Sequence, residues 1–127
     1  MYRPDSVGLP HAKKTGRTTG RSARIRRALE TASGRIIWQR NLRSEFGCKM
    51  PAFAFTASPL IEGNTVLVEA GCTDDRALMA FDKMTGEVVW GSGRDPVGYS
   101  SPIAVNAHGL RQLIFLTSGA VVSLSPS

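Results

Sequence analysis

A chain of 127 residues, 42% hydrophobic and 20% charged, suits one small soluble domain. No run approaches the roughly 18 to 20 uninterrupted apolar residues of a membrane helix, and no secretory signal peptide is visible, since the N-terminal stretch has positive charge but no apolar core. Two cysteines, Cys48 and Cys72, are too few for a disulfide scaffold and lack zinc-ligand spacing.

Charge is concentrated at one end. Up to Arg27 the chain sets eight Lys and Arg against Asp5 alone, a net of +7, and the remainder nets −1. Residues 1–23 show no apolar periodicity, only Gly, Thr, Ser, Pro and cations, so they are expected to form a disordered basic tail. The near-neutral body gives no electrostatic reason to bind nucleic acid, and no aromatic residue interrupts the basic run Lys13–Arg27 to offer a stacking platform. Direct membrane binding is not expected either.

Internal repetition organises the rest. Residues 28–38 read ALETASGRIIW and residues 80–90 read AFDKMTGEVVW. Ala28, Glu30, Ser33, Gly34 and Trp38 thus meet Ala80, Asp82, Thr85, Gly86 and Trp90, each pair 52 positions apart. Ser58-Pro59-Leu60-Ile61 and Ser101-Pro102-Ile103-Ala104 repeat at an offset of 43, as do Ala77–Asp82 and Ala120–Ser125. The nine-residue difference lies in the connection after Trp38, which is longer than the one after Trp90. Loops accept such length more readily than strands.

The repeat divides into short β-type runs at about Phe55–Ile61, Thr65–Ala70, Ala77–Asp82 and Glu87–Gly91, with tight turns at Glu62-Gly63-Asn64 and Thr85-Gly86. A second copy follows at Tyr99–Val105, Arg111–Thr117 and Ala120–Ser125. Val66-Leu67-Val68 and Leu78-Met79-Ala80-Phe81 are almost continuously apolar, which predicts strands buried on both faces. Four short strands per 40 to 50 residues is the pattern of a β-propeller blade. The expected fold is all-β: a partial blade at 24–41, a full four-stranded antiparallel blade at 55–91 and an incomplete blade at 99–125. No helix is expected between Trp38 and Trp90.

Ala80-Phe81-Asp82-Lys83-Met84-Thr85-Gly86-Glu87-Val88-Val89-Trp90 resembles the tryptophan-docking motif, A-x-D-x-x-T-G-x-x-x-W, of the pyrroloquinoline-quinone (PQQ)-type β-propeller repeats. Ala28, Glu30, Gly34 and Trp38 carry the degenerate copy. The resemblance covers about residues 25–127 and implies a ring of six to eight blades, so the chain reads as a fragment of a larger propeller. Remaining blades or self-association would then cover its open faces. The family includes quinoprotein dehydrogenases and scaffolds that bind no quinone, among them the lipoprotein of the outer-membrane β-barrel assembly machinery. It therefore implies a periplasmic or extracytoplasmic setting for the intact protein.

The motif has a physical logic. Gly86 can take a positive φ at little cost, Asp82 can bond the turn amides, and Ala80 leaves room for an indole. Trp38 and Trp90 are expected to pack between blades as structural glue.

Chemistry is sparse. The quinone-binding branch uses an adjacent Cys-Cys pair, a calcium site and a catalytic Asp, and Cys48 and Cys72 are not adjacent. His11 lies in the tail, His108 in a hairpin turn, and Asp74-Asp75 is too small a set for calcium. No catalytic, cofactor or metal residue is assigned. The expected function is a non-catalytic binding scaffold without cofactor. The alternative is a segment of a quinone-dependent alcohol or sugar dehydrogenase, which would bring PQQ and calcium. The best candidate recognition face is the rim where blade-entry loops and mid-blade loops meet, gathering Phe46, Cys48, Phe53, Asp74, Asp75, Arg94 and Tyr99. An aromatic lid that plugs the blade is the competing reading of its phenylalanines, and a Cys48–Cys72 disulfide is conceivable there.

Overall fold

The computed structural model describes residues 25–49 and 57–126. The basic tail and Phe53 lie outside them. Among the described residues nine strands form three antiparallel sheets of two, four and three strands. The first pairs β1 (Ile25–Leu29) with β2 (Ile36–Asn41). The second is β3 (Leu60–Glu62), β4 (Thr65–Cys72), β5 (Arg76–Asp82) and β6 (Val88–Ser92). The third is β7 (Ile103–Ala107), β8 (Leu110–Leu116) and β9 (Val121–Leu124). Strand order follows chain order in each, so every sheet is a meander, as in a propeller blade.

The apolar runs of β4 and β5 are buried on both faces because a sheet covers each side. Val66, Val68, Met79 and Phe81 meet Ala28, Trp38 and Leu42 in one cluster. Leu67, Leu78 and Ala80 meet Leu113 and Phe115 in another. β8 alternates instead, burying Leu113 and Phe115 while leaving Leu116 exposed on the far face.

Two strands start later than the sequence suggests. β3 begins at Leu60 and β7 at Ile103, each just after the repeated Ser-Pro. Proline has no N–H for a ladder, so pairing starts beyond it. The serines of this repeated pair meet, Ser58 N–H donating to Ser101 Oγ at 2.9 Å. The β7–β8 hairpin is also longer than β3–β4. Ile61 pairs Val66 across the Gly63-Asn64 turn, whereas its counterpart Ala104 pairs Leu113 across His108-Gly109. The extension carries Arg111 out to Glu62 of the neighbouring sheet, with Nε and Nη2 both 2.7 Å from its carboxylate oxygens.

The expectation of no helix between the tryptophans is corrected. A five-residue helix, α1 (Leu42–Phe46), occupies the longer connection. Its stops are local: the Asn41 side chain accepts from the amides of Arg43 and Ser44 at 3.1 Å, Glu45 reaches back to the Asn41 amide at 2.7 Å, and Gly47 takes φ 66°. The helix lies outside the strands and interrupts no sheet. It drops Leu42, fully buried, into the first cluster.

The two-sided burial generates a test. Leu67→Ala is expected to cost about 2–5 kcal/mol in urea unfolding, whereas Val121→Ala, at a position 69% exposed, stays within about 0.5 kcal/mol. Equal losses would contradict the stacking of the second sheet between its neighbours.

Candidate functional site

The turn of the repeated motif is built by its own side chains. Asp82 Oδ1 accepts from the amides of Met84 and Thr85, both at 2.8 Å, and Thr85 Oγ1 accepts from Glu87 N–H at 3.2 Å. The Thr85 and Met84 amides hold the Asp82 carboxyl below its ordinary range. In the degenerate copy Glu30 is too long to fold onto the amides and instead takes the Ser33 hydroxyl at 2.5 Å, while Gly34 N–H still bonds Glu30 O.

Two side chains of β2 reach across to that turn. The Trp38 indole donates from Nε1 to Lys83 O at 2.8 Å, and Arg40 Nε donates to Gly86 O at 2.7 Å. Gly86 has φ 71°, and a Cβ there would fall 2.5 Å from Trp38 Cδ2. Its missing side chain is therefore the space the indole occupies. Across each strand pair the motif's alanine faces its own tryptophan, Ala28 opposite Trp38 and Ala80 opposite Trp90. The two indoles differ in cover. Trp38 is 7% exposed, whereas Trp90 is half-buried against the second cluster, with no Nε1 hydrogen bond among the described residues. Applying the repeat spacing of 43 to Gly86 gives a position beyond residue 127.

The other gathering of polar groups is the rim where the loops 71–76 and 93–99 meet the connection after β2. Cys48 and Cys72 are joined by a disulfide. Arg94 clasps Asp75 with both arms, Nε to Oδ1 at 2.9 Å and Nη2 to Oδ2 at 3.0 Å, and this pair holds the Asp75 carboxyl below its usual range. Asp95 accepts from the Thr117 hydroxyl at 2.9 Å, tying the loop to the third sheet. Among the described residues four non-glycine positions have positive φ, and three of them, Asp74, Asp75 and Tyr99, are on this rim. Such geometry persists only where surrounding contacts impose it.

Phe46 turns inward. Its ring lies 6.1 Å from Phe81 with the Arg76 guanidinium 5.8 Å above it, so it caps the first cluster while staying only half-buried. The structure thus brings Cys48, Asp75 and Arg94 to one rim with Asp74 and Tyr99 in its loops, and packs one side of the half-buried Phe46 against the first cluster.

Sequence reasoning missed Glu69. It interrupts the apolar run of β4, is 2% exposed, and accepts from Gly98 N–H at 2.8 Å through Oε1, while Oε2 is buried with no hydrogen-bond partner among the described residues. Burial pushes its carboxyl above the ordinary range, and the Gly98 bond opposes that only in part. The signal was the lone acid between Val68 and Ala70.

The two cysteines bond each other from 24 positions apart rather than as neighbours, and among the described residues no three His, Cys, Asp or Glu converge on a metal-sized site. No helix among them is long and apolar enough to cross a membrane.

Meandering sheets stacked through a motif indole point to one repeat class, and the comparison decides it: the profile described as "Outer membrane protein assembly factor BamB" matches residues 14–127. The chain belongs to this BamB family of PQQ-like repeat proteins. The BamB-family match takes in all three sheets and the disulfide. No curated protein matches the chain.

Two outcomes follow. Gly86→Ala, which adds a methyl where the indole sits and at a positive φ, is expected to lower stability by about 2–4 kcal/mol in denaturant unfolding; a loss under 0.5 kcal/mol would contradict the indole's placement. For Glu69, a folded-state pKa above the unfolded one means its contribution is fully present below the unfolded pKa and is lost as pH rises through the folded value. Glu69→Gln should therefore gain stability relative to the parent between about pH 4 and neutrality, and parallel pH profiles for the two proteins would contradict the reading.

Proposed function

We propose that this chain is part of a non-catalytic propeller scaffold that binds a protein partner through the rim formed by the loops 71–76 and 93–99. The observation that carries the reading is the family match itself, whose description names an assembly factor for outer membrane proteins rather than an enzyme. The motif residues Ala28, Glu30, Gly34, Trp38, Ala80, Asp82, Thr85, Gly86 and Trp90 serve in this reading to dock successive blades, since the Trp38 indole is engaged with Lys83 and Gly86 rather than with an open site. The intact protein acts outside the cytoplasm, at the inner side of the outer membrane.

The rim suits recognition on physical grounds. Its loops are fixed by a disulfide, a bidentate ion pair and the Glu69–Gly98 bond, so little ordering entropy remains to be lost on binding. It displays Tyr99, 37% exposed, next to an arginine-bearing loop, and tyrosine and arginine are over-represented among residues that dominate protein interfaces.

Photo-crosslinking from position 99 in the native cell envelope tests the proposal. Discrete protein adducts are expected from that position, with no dye reduction when PQQ and calcium are titrated into the purified protein. Quinone-dependent dye reduction, or an absence of adducts, would contradict it.

A further inference from the structure

Residues 42–49 of the connection after β2 reach the sheet they cover through apolar contacts and one covalent bond, without hydrogen bonds to it among the described residues. The hydrogen bonds of residues 42–49 among the described residues run within 40–48: Gly47 N–H to Arg43 O, Cys48 N–H to Leu42 O, and the Asn41 and Glu45 bonds that start the helix. What joins the segment to the second sheet is Leu42, fully buried in the first cluster, the half-buried Phe46 against Phe81 and Arg76, and the disulfide from Cys48 to Cys72 at the end of β4. A five-residue helix cannot stand by itself in water, because nucleation alone outweighs its few hydrogen bonds.

We propose that the Cys48–Cys72 bond is a permanent strap that keeps the 42–49 connection seated over the core between the first two sheets, so that the seated form belongs to an oxidising compartment. Closure converts two thiols into one S–S bond. The two electrons and the two thiol protons go to an incoming disulfide oxidant, which leaves as two thiols. Once closed, the bond is not a reversible switch. Cys48 is 2% and Cys72 1% exposed, so a reductant thiolate has no path to either sulfur unless the connection first opens. Placement at the last pair of the β4–β5 ladder, Cys72 opposite Arg76 and beyond the register shift after Glu69, makes the effect local: Leu42, Phe46 and Cys48 lift together while the rest of β4 and β5 stays paired. Disulfides of this buried kind are a feature of proteins folded outside the reducing cytoplasm. The inference does not depend on what the rim binds.

Limited trypsinolysis of the full chain reads the strap directly, since Arg43 and Lys49 are both exposed on the connection while Arg111 sits in β8 and reports on the fold as a whole. In the Cys48→Ala/Cys72→Ala variant, cutting after Arg43 and Lys49 should rise at least several-fold as the open form of the connection becomes more populated, with cutting after Arg111 unchanged. Equal rates at Arg43 and Lys49 in variant and parent would overturn the proposal, because packing alone would then hold the connection. A parallel rise at Arg111 would overturn it too, because the bond would then support the whole fold. Should the variant not accumulate, the parent is treated under native conditions with a phosphine reductant and then a thiol label. Labelling of both cysteines at least 10-fold slower than reduction of an accessible glutathione disulfide is expected, and labelling at the accessible rate would overturn the claim that the bond is sealed.

Discussion

The structure depends on one fit: the Trp38 indole occupies the space that a side chain at position 86 would need. That fit joins two sheets without any strand pairing between them. Hydrogen bonds from Trp38 to Lys83 O and from Arg40 to Gly86 O then fix its angle, and the first core cluster fills in beneath. Indole and apolar cluster act together: the ring supplies area, and the turn glycine supplies the room for it. Because the receiving turn is the same Thr-Gly that reverses the chain between β5 and β6, a single short motif both closes a blade and receives the previous one.

Much of this was legible in the sequence. The 52-residue repeat named the alanines and tryptophans that face each other in the two sheets, and the unbroken apolar runs of β4 and β5 foretold burial on both sides. What escaped has physical reasons. The short helix after β2 was hidden because its capping signals, Asn41, Glu45 and Gly47, operate over five residues and leave no apolar periodicity to count. The late starts of β3 and β7 follow from Pro59 and Pro102, whose effect on pairing outweighs the β-propensity around them.

The rim was legible only in outline. Loop positions in a meander placed Cys48, Asp75 and Arg94 at one end, but whether a side chain faces solvent or core depends on neighbours distant in the chain. Phe46 is the instructive case, an aromatic residue at the end of the short helix whose ring packs against Phe81 and Arg76. Glu69 is the converse, a charged residue kept inside because Gly98 supplies one hydrogen bond and the loop closes over the rest. Both show that the longer connection and the inter-sheet loop belong to the core as much as to the surface.

Hydrogen exchange at the two indole N–H groups, followed by NMR, examines the central fit most directly. The Trp38 Nε1–H, bonded to Lys83 O and covered by the second sheet, is predicted to exchange on the order of 100-fold more slowly than an unbonded indole and to lose that protection when Gly86 is replaced by valine. Free-indole exchange at Trp38, or protection indifferent to the residue at position 86, would contradict the account.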